Sequence, residues 1–228
     1  MIYQYSIELA LFDFIPVMLS ALGMYFIVQI INANNQNYQT LTKVAAAMIV
    51  FGGVSKATWK LLVATNGVDI AILNNNLFIF MAPGFAFLTF CLYAARKQFN
   101  QQAIKPTAWR CPASIVTLFA ILSIALAVTY PDKKLWFFAL LGLLTISNII
   151  FIWHAIRHSL QAQSKTSALL YLLNIIGVFA LSGIARMNDQ REAIQWIAEF
   201  TNTATQGAFA LAGYLLWKKT QSSLAATK

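Results

Sequence analysis

Ionisable side chains are scarce in this chain. Asp and Glu together number seven, His two and Cys two among 228 residues, and charged residues make up 10% of the total, against roughly 25% in soluble domains. Such a composition excludes an ordinary soluble domain. Cys91 and Cys111 form neither a disulfide framework nor a CxxC pair, which leaves no cysteine-based scaffold or metal knot. His154 and His158 stand four apart in WHAIRHS, but no third ligand lies near them in sequence, so no metal site is expected. They read as interfacial histidines beside Trp153. A Gly-x-Ser-x-Gly elbow, a HExxH pair, a P-loop and a Rossmann glycine run are all missing, which removes the common hydrolase, zinc-protease and nucleotide chemistries. No cofactor is expected.

Apolar residues fill the space that charge leaves: 59% of the chain is hydrophobic and the mean hydropathy is +0.65. The apolar runs predict spans at 7–32, 43–65, 77–95, 113–130, 135–156, 167–185 and 195–217, each near the ~17–25 residues that cross a bilayer as a helix. The expected fold is therefore all-α, a polytopic membrane protein whose residues 1–228 form a single seven-helix transmembrane domain. No Lys or Arg precedes the first span, so it lacks the basic region of a removable signal and is expected to stay.

The net charge of +9 would suggest nucleic acid in a soluble protein. Here the basic residues sit mostly in short loops, where they mark orientation. Lys43, then Arg96, Lys97, Lys105 and Arg110, then Arg157 and Lys165, then Lys218, Lys219 and Lys228 fall on one side. The positive-inside bias puts that side in the cytoplasm, with the N-terminus outside and the C-terminus cytoplasmic. A bacterial inner membrane is the expected location. Membrane lipids and a small-molecule ligand are the expected partners, nucleic acid is not, and the sequence is silent on oligomeric state.

Charge inside the spans is the informative exception. KVAAAMIVFGGVSKATWKLLV carries Lys56, Trp59 and Lys60 within an apolar run, and a lysine at that depth costs at least ~2.5–3.5 kcal/mol, so it needs a counter-ion and marks a candidate site. Asp13 in span one and Glu199 in span seven are the available acids. Two simple pairings offer themselves, Asp13 with Lys56 and Glu199 with Lys60. Taken with the orientation, Asp13, Lys56, Lys60, Pro83, Arg186, Glu199 and Asn202 all come out in the outer half of the bundle. The Ala82-Pro83-Gly84 triplet is expected to break span three at that level. Asn174 lies near the middle of span six, and Glu199, Asn202 and Gln206 form a polar stripe at helical spacing on span seven.

The candidate ligand-binding set is thus Asp13, Lys56, Trp59, Lys60, Pro83, Asn174, Arg186, Glu199, Asn202 and Gln206. Trp59, Phe80 and Trp196 are available as apolar walls. Counting Arg186 with the two lysines leaves the set one charge positive, which favours an anionic, zwitterionic or amphiphilic ligand. An outward-facing pocket that binds or transports such a molecule is the expected function. The alternatives are a membrane-embedded enzyme acting on a lipid or isoprenoid through Asp13 or Glu199, and a heptahelical sensor with a cytoplasmic partner. Span three also echoes span seven: GFAFLTFCLYAAR and GAFALAGYLLWKK align Gly84 with Gly207 and Arg96 with Lys219. A 3+1+3 parallel repeat would follow, an arrangement used by some transporters.

Overall fold

The computed structural model describes residues 6–187 and 191–226, with the side chains of 223–226 left aside. All regular structure among them is helical, in the order α1 (Ile7–Phe12), α2 (Phe14–Asn34), α3 (Gln39–Asn66), α4 (Ala71–Phe99), α5 (Arg110–Thr129), α6 (Leu135–Gln161), α7 (Lys165–Arg186) and α8 (Glu192–Ala226). Six stretches are long and apolar enough to cross a membrane, with α1 and α2 counted as one. The protein is an integral membrane protein. The seventh helix, α8, has 35 residues and ample length, but Thr201, Asn202, Thr203, Thr205 and Gln206 dilute its apolar character. It is the most polar of the expected spans.

The helices begin and end where local chemistry requires. Ser6 caps α1, its Oγ accepting from the Leu9 N–H at 3.3 Å. Asp13 interrupts the first span between α1 and α2, because Pro16 has no N–H to give the Phe12 carbonyl and its ring crowds that oxygen. Gly67 ends α3 at φ +65°, a left-handed turn that a side chain resists. The Asn- and Gln-rich stretch NANNQNYQTLTK, residues 32–43, reads by composition as a loop without a fold of its own; it instead makes a short 3-10 turn at Gln36–Tyr38 and enters α3 at Gln39. The Tyr38 hydroxyl donates to the Lys105 carbonyl at 3.1 Å and so ties the loop after α4 to this end of the bundle.

Two expectations for span three are corrected. α4 begins at Ala71, not Leu77, so the apparent loop residues Asn74, Asn75 and Asn76 are helical. Nor does Pro83 break the helix, which runs continuously from Ala71 to Phe99. One missing N–H is a small local loss, and α3 packs along α4 in the most extensive helix pair of the molecule. That contact is close at Gly52, where an added Cβ would stand 2.9 Å from the Leu77 carbonyl oxygen, and at Gly84, where it would stand 3.0 Å from that of Ala45.

In cross-section α2, α3, α4, α6, α7 and α8 follow one another around the bundle, and α5 packs on its outside against α6 and α4. The dense core lies toward one end. Ile27 and Ile31 of α2, Ile49 of α3, Leu92 of α4, Phe151 of α6 and Leu216 of α8 are all within 2% of complete burial. This end, called lower here, carries Tyr38, Phe99 and Gln161; the upper end carries Ile7, Asn66 and Glu192. Space is left in the upper half.

Candidate functional site

Three helices bring charge to a common level. Asp13 lies six residues past the start of α1, Lys60 six residues before the end of α3 and Glu199 seven residues past the start of α8, which puts each ~9–10 Å in from the upper end. Lys60 bridges the two acids: its Nζ lies 2.5 Å from Glu199 Oε1 and 3.3 Å from Asp13 Oδ2. The three side chains are 15% exposed or less. An ammonium ion out of water needs such company, since removing charge from solvent costs several kcal/mol per ion and only close opposite charge offsets it.

Lys56, one turn below, is treated differently. No carboxylate of the described residues lies within 4.0 Å of it. Its Nζ donates to Asn74 Oδ1 of α4 and stands 4.3 Å from the centroid of the Trp59 ring, a favourable place for a cation. The sequence-based pairing of Asp13 with Lys56 is thus replaced by one lysine holding both acids and one lysine held by neutral groups. The kink at Asp13 and the close packing of α4 on α3 decide this, because they set which ammonium faces which neighbour.

These residues line a cavity of about 320 Å³ whose wall also includes Pro16, Val17, Ile49, Val50, Leu77, Met81 and Leu181. Its size is at the small end of ligand sites, which are typically roughly 300–1,000 Å³, and its mixture of apolar wall with a few convergent polar groups is their usual makeup. Asp13, Lys56, Lys60, Glu199, Asn202 and Gln206 all contribute to the lining. Glu199, Asn202 and Gln206 form the expected stripe on α8.

The other candidates lie elsewhere. Trp59 is 1% exposed and is not in the lining, its Nε1 donating to Asp69 Oδ1 at 2.8 Å. Asn174 is buried and donates from Nδ2 to the Thr205 carbonyl at 3.0 Å, joining α7 to α8. Pro83 is half-buried on α4 outside the lining, and Arg186 is exposed at the end of α7. Arg186 is not in the lining, and the two lysines and two acids that do line the cavity sum to zero formal charge. The proposed aromatic walls are absent too: Phe80 packs on Phe51 at 4.8 Å between centroids and Trp196 on Phe12 at 5.4 Å.

Sequence reasoning missed Asn74, Leu77 and Met81 of α4. They recur at intervals of three and four, a helical face whose first member, Asn74, falls outside the expected span 77–95. The histidines near the lower end of α6 pack inside the bundle, which spacing alone did not show. His158 is completely buried, its ring 5.1 Å from that of Phe99 on α4, and His154 is half-buried with its ring 5.5 Å from Tyr93. Among the described residues no three His, Cys, Asp or Glu side chains gather as a metal-holding group.

Compared with known protein families, with characterised proteins and with solved structures, the chain finds no match.

Proposed function

We propose that the protein binds, and carries across the membrane, a small amphiphilic molecule with a zwitterionic or anionic head group. The observation that carries this is Lys56: a cation on the wall of a cavity, inside a membrane-spanning helix, in contact with an amide and an indole and with no carboxylate of the described residues within 4.0 Å. Beside it the cluster of Asp13, Lys60 and Glu199 has a formal charge of minus one. The cavity therefore presents two separated poles, one positive and one negative, between apolar walls. A head group with both signs of charge complements the poles, and an apolar tail complements Val17, Ile49 and Leu77.

The same proposal places the upper end outside the cell and the lower, basic end in the cytoplasm of a bacterial inner membrane, following the charge asymmetry of the loops. It also accommodates parallel repeats of α1–α4 and α6–α8 joined by α5, with the ligand between the halves. An enzymatic role has less support, since both carboxylates are paired with Lys60.

Native mass spectrometry of the protein taken directly from its own membrane tests the proposal. A co-purifying small amphiphile that is lost in Lys56→Met is the expected result. Identical spectra for the two proteins would overturn it, and uptake into proteoliposomes then separates a carrier from a binding protein.

A further inference from the structure

The opposite end of the bundle carries a second, independent charge anomaly. Of the seven acidic residues of the chain, the six that are described, Glu8, Asp13, Asp69, Asp132, Glu192 and Glu199, fall at or toward the upper end by their positions along the helices; Asp189 lies outside the described residues. Among the described residues the lower end has none, while Arg96, Lys97, Lys105, Arg110, Arg157 and Lys165 are there. Orientation by positive charge does not require this, because acidic residues contribute little to it.

One of these cations is also partly covered where an orientation signal would have no reason to be. Arg96 of α4 is half-buried, and its Nε and Nη1 are covered without any hydrogen-bond partner. Arg157 of α6 is exposed beside it, its guanidinium 5.5 Å from the Trp153 ring, and the two like charges act on each other across the seam between the helices. His154 Nδ1 and both ring nitrogens of His158 add covered polar atoms with no partner. A guanidinium donor left unsatisfied is expensive, and charge-assisted bonds to an oxyanion are its strongest remedy. Within the described protein no acid is in place to provide one.

Depth indicates where that oxyanion comes from. α4 has 29 residues, so it is ~43 Å long and overreaches a ~30 Å hydrocarbon core by several ångströms at each end. Arg96 lies three residues before the last residue of α4 and Arg157 four before that of α6, about 5–6 Å in from the lower end. That is the level of lipid head groups. We infer that Arg96 and Arg157, at the seam of α4 and α6, hold the phosphate of an anionic phospholipid.

The test is native mass spectrometry of the intact protein released from nanodiscs containing equal phosphatidylglycerol and phosphatidylcholine, with inorganic phosphate added in a separate arm. Phosphatidylglycerol is expected to be retained preferentially. Arg157→Gln and Arg96→Gln are each expected to reduce that preference about fivefold, from ~1 kcal/mol per basic residue near an anionic surface. Arg157 is exposed, so its variant keeps the test open even if Arg96→Gln folds poorly. Displacement of the lipid by inorganic phosphate in the wild type but not in Arg157→Gln also supports a phosphate site, one not restricted to lipid. Equal retention of the two lipids, or an unchanged preference in Arg157→Gln with no effect of phosphate, would overturn it.

Discussion

Lys60 of α3 and Glu199 of α8 are 139 positions apart in the chain and 2.5 Å apart in space. The pair joins the second span to the last, and Asp13, 3.3 Å from the same ammonium, brings in the first. Three helices with no sequence neighbourhood in common are thereby tied at one level. Lys56, a single turn away, takes no part in this tie, so the two lysines should respond to mutation in different ways.

Lys60→Met leaves two adjacent carboxylates with little solvent and no common cation. Breaking a buried ion pair from one side costs about 3–5 kcal/mol, so a large drop in melting temperature in detergent is expected. Asp13→Asn should cost far less, about 1 kcal/mol, because Lys60 keeps Glu199 and the new amide still offers an oxygen. A Lys60→Met protein as stable as wild type would show that the cluster does not hold the helices together.

Lys56→Met should behave in the opposite sense. It removes a cation that leaves no acid orphaned, and methionine fills much the same volume, so melting should change by no more than the equivalent of ~1.5 kcal/mol. Ligand retention should vanish. Thermal melts and native mass spectra recorded on the same preparation check both halves.

Gly84→Ala probes the seam between α3 and α4. The new methyl would meet the Ala45 carbonyl oxygen at 3.0 Å and an Ile49 side-chain carbon at 2.8 Å, and the backbone atom cannot step aside without moving the helix. Overpacking of this kind costs about 1–3 kcal/mol. Gly142→Ala, where nothing lies within 4 Å of the added carbon, is the control and should melt within ~0.5 kcal/mol of wild type.

Orientation can be read from the two cysteines already present. Cys111 is exposed at the lower end of α5, and Cys91 is buried in α4. A membrane-impermeant maleimide should leave intact cells or spheroplasts unlabelled and label inverted vesicles at Cys111 alone. Labelling of intact spheroplasts would reverse the proposed topology and turn the cavity toward the cytoplasm.

How much of this was visible in the sequence depends on the kind of information involved. The approximate place of most spans and the shared depth of Asp13, Lys60 and Glu199 need only hydropathy and the rise of a helix, and both were accessible. The choice between Lys56 and Lys60 was not. The two are one turn apart with equal reach, and their partners depend on how far α2 swings at Asp13 and how closely α4 approaches at Gly52. Asn74 was missed for a simpler reason. Three consecutive asparagines read as a loop by composition, yet Asn74, Leu77 and Met81 mark one helical face once α4 starts at Ala71. Trp59 and Asn174 are expected from the sequence to be part of the binding set, but each has a protein partner of its own, Asp69 and Thr205, that spacing alone does not show.

The polar middle of α8 bears on how the molecule is made. A segment carrying Glu199, Asn202, Thr205 and Gln206 is a poor candidate to leave the translocon for lipid unaided. It follows the other helices out of the ribosome, so that Lys60 and Asn174 are already in the bilayer when it arrives. Insertion of the last helix and docking onto its neighbours are then one event, and a chain whose earlier helices are disturbed should fail there, with α8 stranded at the membrane surface and open to quality-control proteases.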